Sequence, residues 1–138
     1  MVADTGEASG TGRMVALVKD RLEADPGARE AMAELGELSD QVAELLERAD
    51  FKAVGLHLSR AHHLLGQLGL STPRLDAVCR AALFAGAHGA KLSGAGGGGC
   101  AVALAPLSRL AEVASAMVEA GAVCAWPTQY LIERESPR

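Results

Sequence analysis

Hydrophobic and polar positions along the 138-residue chain first change period near residue 86. Before that point the spacing is helical. Thr11 is expected to cap a first helix over Gly12 to Ala24, with Val15, Val18 and Leu22 on its apolar face. Asp25-Pro26-Gly27 stops it. A second helix is expected from Ala28 to Ala49, with Leu35, Leu38, Val42, Leu45 and Leu46 as its stripe and a solvated acidic face between Glu30 and Glu47. Asp50 caps a third, with Phe51, Val54, Leu58, Leu64, Leu65 and Leu68 turned inward and Gly69 as its stop. Thr72-Pro73 supplies an N-cap followed by proline at the first helical position. Leu75, Val78, Cys79, Ala82 and Leu83 then recur at helical spacing until Gly86 and Gly89.

Beyond that the period shortens. Ala90 to Ser93 reads as extended. Gly94 to Gly99 is nearly all glycine. Cys100 to Ala105 is an apolar run closed by Pro106, as a buried strand would be. Leu107 to Ala120 reads as a helix ended by Gly121, and Ala122 to Trp126 and Gln129 to Ile132 as extended. The first residues, Met1 to Asp4, suit the end of a strand. Helices first, then strand, loop, strand, helix, strand predict an α+β domain with helices on one face of a small, mostly antiparallel sheet.

Composition narrows the classes of function. Net charge is −4, which argues against a nucleic-acid partner. No run reaches the roughly 18 apolar residues of a membrane span, and the first residues lack the basic and apolar regions of a signal peptide. Cys79, Cys100 and Cys124 are odd in number and form no CxxC, and no histidine stands at zinc spacing from them. Reduced thiols and a cytoplasmic location are the expectation, with no metal site. His62 and His63 are neighbours on a helix and point about 100° apart, so they suit surface or interface packing rather than joint chelation.

The most informative stretch is Lys91-Leu-Ser-Gly-Ala-Gly-Gly-Gly-Gly-Cys100. Five glycines in six positions cost chain entropy on ordering. They are expected where the backbone must take positive φ, or where successive N–H groups form a nest for an anion. A Walker A loop is excluded, because Cys100 and Ala101 stand where Lys and Ser/Thr belong. Gly94, Gly96 and Gly99 satisfy GxGxxG literally, but a dinucleotide loop must open a helix, and this one opens an apolar segment ending at Pro106. A plain flexible turn is the alternative, although its flanks are apolar where glycine linkers usually have polar ones.

Taken together, KLSGAGGGGC at residues 91–100, Ala61-His62-His63-Leu64 with Leu68-Gly69-Leu70-Ser71-Thr72-Pro73 and Leu75-Asp76, and Ala3-Asp4-Thr5-Gly6 before a helix resemble the GHMP small-molecule kinases, in the form found in mevalonate kinases. The resemblance runs in order over most of residues 2–105. It implies a family C-terminal domain over residues 1–138, with a ferredoxin-like core, added helices, residues 1–6 ending a strand, and a frayed tail at 133–138. It implies ATP and Mg²⁺ as cofactors, and transfer of the γ-phosphoryl group to mevalonate. By match, Ser93, Gly94, Ala95, Gly96, Gly97, Gly98 and Gly99 would face phosphate or nucleotide, with Lys91 as a further candidate. Ser93 is equally readable as a turn serine, and Lys91 as a solvated lysine at a strand edge. Asp4 matches the strand motif and is not read as a catalytic base.

The family's main nucleotide loop, P-x-x-x-G-L-G-S-S-A, and its catalytic aspartate and lysine are absent from these 138 residues. No catalytic residue is therefore assigned here. The expectation is a missing N-terminal kinase domain, with Met1 an internal methionine or a late start, and no turnover by the chain alone. An uncovered domain interface would then favour a homodimer or aggregation. Phosphomevalonate, galactose and homoserine kinases are the alternatives within the family. A stand-alone α+β module binding a partner or small anion is the alternative outside it.

Overall fold

The structure is a computed structural model that describes residues 1–8 and 10–128. A short strand β1 (Val2–Asp4) is followed by four helices: α1 (Thr11–Ala24), α2 (Pro26–Glu47), α3 (Phe51–Gln67) and α4 (Pro73–Phe84). Strands β2 (Gly89–Ser93) and β3 (Cys100–Leu104), a 3₁₀ turn at Leu107–Arg109, helix α5 (Leu110–Glu119) and strand β4 (Cys124–Trp126) complete it. The strands form one antiparallel sheet in the order β2-β3-β1-β4. Strand, helices, two strands, helix, strand in that spatial order is the ferredoxin-like arrangement with added helices, so the expected α+β class holds.

Local chemistry sets most helix ends. Thr72 Oγ1 accepts the Leu75 N–H at 3.2 Å, with Pro73 opening α4. Asp50 accepts the Ala53 N–H at 3.1 Å. Gly69, at φ +80°, follows the last residue of the α3 cap, as a terminating glycine should. Three helix starts differ from expectation. Thr11 is the first helical residue rather than the cap. Gly10 sits at the cap with no side-chain bond. Asp25 ends α1 and also begins α2: its carboxylate accepts the Gly27 N–H at 2.8 Å and Pro26 takes the first helical position. The stop signal is thus also a start signal. Residues Leu107–Arg109 form a 3₁₀ turn ahead of α5 rather than its first turn. The expected strand at Gln129 to Ile132 and the frayed tail lie outside the described residues.

The sheet alternates in burial, except at Gly89, which is buried next to Ala90 where α3 approaches. Ala3, Ala90, Leu92, Ala101 and Ala103 are buried against the helices, with Leu64, Leu75, Val78, Val113 and Met117 among the residues packed on them. Each leucine or valine withdrawn this way contributes about 1.5–3 kcal/mol. Residues of the opposite phase are only partly covered. Their registers line up Lys91, Val102, Val2 and Trp126 in one row and Ser93, Cys100, Asp4 and Cys124 in the next. Four expected inward residues face solvent instead. Val15 is 63% exposed because Met14 is the α1 residue that enters the core, and Leu46, Phe51 and Leu83 are also exposed. The acidic face of α2 is not purely solvated, since Glu34 accepts two hydrogen bonds from Arg60 of α3 at 2.5 and 2.7 Å.

Helix α3 lies against β2 through two glycines. A Cβ on Gly89 would sit 1.7 Å from the Gly55 carbonyl oxygen, and one on Gly55 2.3 Å from the His88 carbonyl carbon. That approach brings α3 side chains to the free edge of β2, where Ser59 Oγ accepts the Ala90 N–H at 3.3 Å and His62 Nδ1 accepts the Leu92 N–H at 3.1 Å.

Candidate functional site

The glycine loop is the turn of the β2–β3 hairpin. Gly94, Gly96, Gly97, Gly98 and Gly99 all have positive φ, between +70° and +126°. Side chains rarely tolerate even one such residue, so the run of glycine is a backbone requirement. It also serves close packing. A Cβ on Gly96 would lie 2.4 Å from the Leu70 carbonyl oxygen, on Gly97 2.7 Å from Met14 Sδ, and on Gly98 2.7 Å from Glu7 Cβ. Gly94 and Gly99 have nothing within 4 Å of that position.

The loop's N–H groups divide accordingly. Gly97 donates to the Leu70 carbonyl at 2.7 Å and Gly99 to the Glu7 carbonyl at 3.0 Å. Those two are spent on the protein itself. The N–H groups of Gly94, Ala95 and Gly98 have no hydrogen-bond partner among the described residues, and Gly98 is buried. A buried N–H without an acceptor is rare in folded proteins. Ser93 Oγ, at the start of the loop, is likewise without a partner. These donors fit an anionic oxygen. The Lys91 ammonium, two residues back on the same sheet face as Ser93, has no hydrogen bond or ion pair among the described residues, and burial holds it below the ordinary lysine range. No group of three His, Cys, Asp or Glu that could hold a metal occurs among the described residues.

The loop is held from two sides. Thr5, fully buried, donates both N–H and Oγ1–H to the Gly99 carbonyl at 2.9 and 2.7 Å. The Glu7 carboxylate accepts from Thr72 Oγ1 at 2.7 Å and pairs with Arg74 at 3.8 Å, while Arg74 also donates to the Thr5 carbonyl at 3.0 Å. Sequence reasoning named Thr5 and Thr72 without these contacts and did not single out Glu7 or Arg74. Thr5 and Gly99 are 94 positions apart, and no local pattern reports such a contact.

A second cluster lines a cavity of about 570 Å³ between α3, α4 and β2. Because the Leu92 N–H can only donate, His62 Nδ1 carries no proton. Its Nε2–H then donates to Asp76 Oδ1 at 3.1 Å, which Ser71 also reaches at 2.5 Å. Burial outweighs the pull of Asp76 and keeps the imidazole below its ordinary value. Cys79 Sγ stands 3.9 Å from Nδ1. The outline is that of a Cys-His-Asp relay, but the chemistry is not. Nδ1 already accepts a backbone proton, and burial pushes the Cys79 thiol up to about 12, so no thiolate forms. His62 is a packing residue between helix and strand rather than a surface histidine.

Comparison with known proteins places this geometry. The family model for GHMP kinases, C terminal, matches residues 42–123. Mevalonate kinase of Pyrococcus horikoshii is 41% identical over 129 residues, covering 89% of this chain and 38% of that relative. Galactokinase of Mycobacterium bovis is 35% identical over 88 residues, covering 63% of this chain and 24% of that relative. Among solved structures, L. major mevalonate kinase in complex with R-mevalonate superposes with a TM-score of 0.80 at 28% identity, covering 86% of this chain and 37% of that one. The chain thus spans well under half the length of the relatives it matches. It belongs to the GHMP kinase family and carries that family's C-terminal fold.

Proposed function

We propose that the chain is the C-terminal part of a mevalonate kinase, a single domain over residues 1–138 whose glycine loop borders the site where the γ-phosphoryl group of ATP passes to the 5-hydroxyl of mevalonate. The observation that carries this reading is the hairpin loop itself. It joins a mevalonate-kinase-type sequence to three unpartnered backbone donors, those of Gly94, Ala95 and Gly98, next to Ser93 Oγ. Phosphoryl transfer depends on positioning and on neutralising charge spread over phosphate oxygens. Fixed N–H groups and a hydroxyl do this without reorganising.

The rest of the catalytic apparatus lies in a partner domain carrying the nucleotide loop and the aspartate. Mg²⁺ would come with the nucleotide phosphates, since the described residues offer it no cluster of three ligands. Lys91 to Gly99 is the segment assigned to phosphate, with Lys91 as a supplementary charge. A cytoplasmic location and self-association through an uncovered face belong to the same reading.

The test is to combine the purified chain with a polypeptide carrying a GLGSSA-type loop and catalytic aspartate, and to follow ADP release with Mg²⁺. Release that needs both parts, and mevalonate rather than phosphomevalonate, galactose or homoserine, supports the reading. Release with galactose alone would replace it by a galactokinase, and substantial release by the chain alone would overturn the division of labour.

A further inference from the structure

We infer that Glu7 is a positioning residue for the glycine loop, held by Thr72 and Arg74 so that its backbone and side chain set the shape of Gly97 to Gly99. This rests on the loop being a phosphate site. Three observations combine. First, the loop bends back at Gly98, where Glu7 Cβ stands so close that only a hydrogen fits: an added Cβ would be 2.7 Å away. Second, the Glu7 carbonyl accepts the next N–H, that of Gly99, at 3.0 Å. Third, Glu7 cannot drift, because its carboxylate accepts from Thr72 Oγ1 at 2.7 Å and faces the Arg74 guanidinium at 3.8 Å.

Thr72 caps α4, a rigid element whose Leu75 and Val78 are fully buried, and Arg74 lies in its first turn. Arg74 also donates to the Thr5 carbonyl at 3.0 Å, so the turn carrying Thr5 and Glu7 is tied to α4 at two points. The α3–α4 connection supplies the opposite jaw, with Gly97 donating to Leu70 at 2.7 Å. The loop is therefore gripped on both sides by elements that share α4 and its preceding turn. Glu7 touches no reacting group in this arrangement. It acts by fixing Gly99 through its carbonyl and Gly98 through close contact, beside Gly97 held by Leu70, while the Gly98 N–H has no partner among the described residues. Pairing the Glu7 carboxylate with Arg74 also lessens its repulsion of an incoming phosphate.

The experiment uses the full 138-residue chain and two readouts: amide hydrogen exchange at Gly97, Gly98 and Gly99 by NMR, and binding of inorganic triphosphate. Glu7→Ala keeps the Cβ and carbonyl but removes the carboxylate. It is expected to raise exchange at Gly97 and Gly99 more than about tenfold, to leave Leu92 and Val113 protected, and to weaken triphosphate binding in step. Glu7→Gln, which can still accept from Thr72, should recover most of the protection. Arg74→Lys should recover more than Arg74→Met. Unchanged exchange and unchanged binding in Glu7→Ala overturns the inference, as does loss of protection throughout the core, which would make Glu7 a general stability residue. A wild-type chain that binds no triphosphate sinks the phosphate reading instead, and the exchange comparison still decides whether Glu7 positions the loop.

Discussion

His62 Nδ1 accepts the backbone N–H of Leu92 at 3.1 Å, so a helix side chain occupies the place where a neighbouring strand would bond. Edge strands with open N–H groups invite pairing with other chains. Here α3 closes the edge at Leu92 and, through Ser59, at Ala90. His62→Ala is expected to leave the Leu92 N–H buried without an acceptor, at a cost of about 2 kcal/mol. Thermal unfolding should report a Tm lower by about 5–10 °C.

The same contact gives a pH dependence. The folded imidazole is held below the ordinary 6.5, chiefly by burial, with Lys91 and His63 opposing its charge and Asp76 favouring it. The unfolded chain therefore binds the proton more readily. The His62 contribution is complete above about pH 6.5 and is lost as pH falls through the lower folded value. Denaturant titrations between pH 7.5 and 4.5 should show a loss in wild type that His62→Gln lacks. Identical slopes in both would rule the linkage out.

Gly94 and Gly96 share a positive φ, +89° and +82°, but not their surroundings. Alanine at 94 meets nothing within 4 Å and should cost only the backbone term, about 1 kcal/mol. Alanine at 96 places its Cβ 2.4 Å from the Leu70 carbonyl oxygen and should cost about 3 kcal/mol or more. If Gly94 borders phosphate, Gly94→Ala instead loses activity in the reassembled enzyme at nearly full stability. Urea midpoints and ADP release, measured on both variants, separate the two effects.

These contrasts mark what the sequence could tell. Thr72-Pro73, Asp50 and Gly69 are local signals and act where they stand, because a cap bond spans three residues. The strand-loop-strand pattern at 90–105 is equally local. The glycine run was legible as a demand for positive φ. That Gly96 and Gly98 answer to Leu70 and Glu7 was not, because those contacts depend on how distant segments meet. The Val15 assignment failed for a related reason. A helix with Met14, Leu17, Val18 and Leu22 has more than one apolar phase, and only the position of the glycine loop decides that Met14 enters. His62 and His63 look alike in sequence, and the facing strand alone distinguishes them.

Two helical glycines should respond oppositely to the same change. Gly36, exposed within α2, has nothing within 4 Å of a built Cβ, so Gly36→Ala should stabilise by about 0.5–1 kcal/mol through reduced chain entropy. Gly55 meets the His88 carbonyl carbon at 2.3 Å. Gly55→Ala must push α3 off β2, and should cost about 3 kcal/mol or leave the chain unfolded. A stable, unshifted Gly55→Ala variant would show that the α3–β2 contact has room for a methyl group.

The three thiols offer a check on the same packing without mutation. Cys124 is exposed, Cys100 is half-buried, and Cys79 is buried between α3 and α4. Burial raises the Cys100 thiol, helped by Asp4 and Cys124, and pushes Cys79 up to about 12. Reaction with a disulfide reagent needs thiolate and access together. At pH 8 Cys124 should therefore react first and Cys100 more slowly, while Cys79 reacts only as fast as the chain opens. Counting modified thiols against time should give two equivalents in the native protein and three in denaturant. Should Cys79 react at a rate near that of Cys124, the cavity lined by His62 and Asp76 would have to be open and activating. In that case the relay rejected above on the ground that Nδ1 is occupied by the Leu92 N–H would return as a live chemical site.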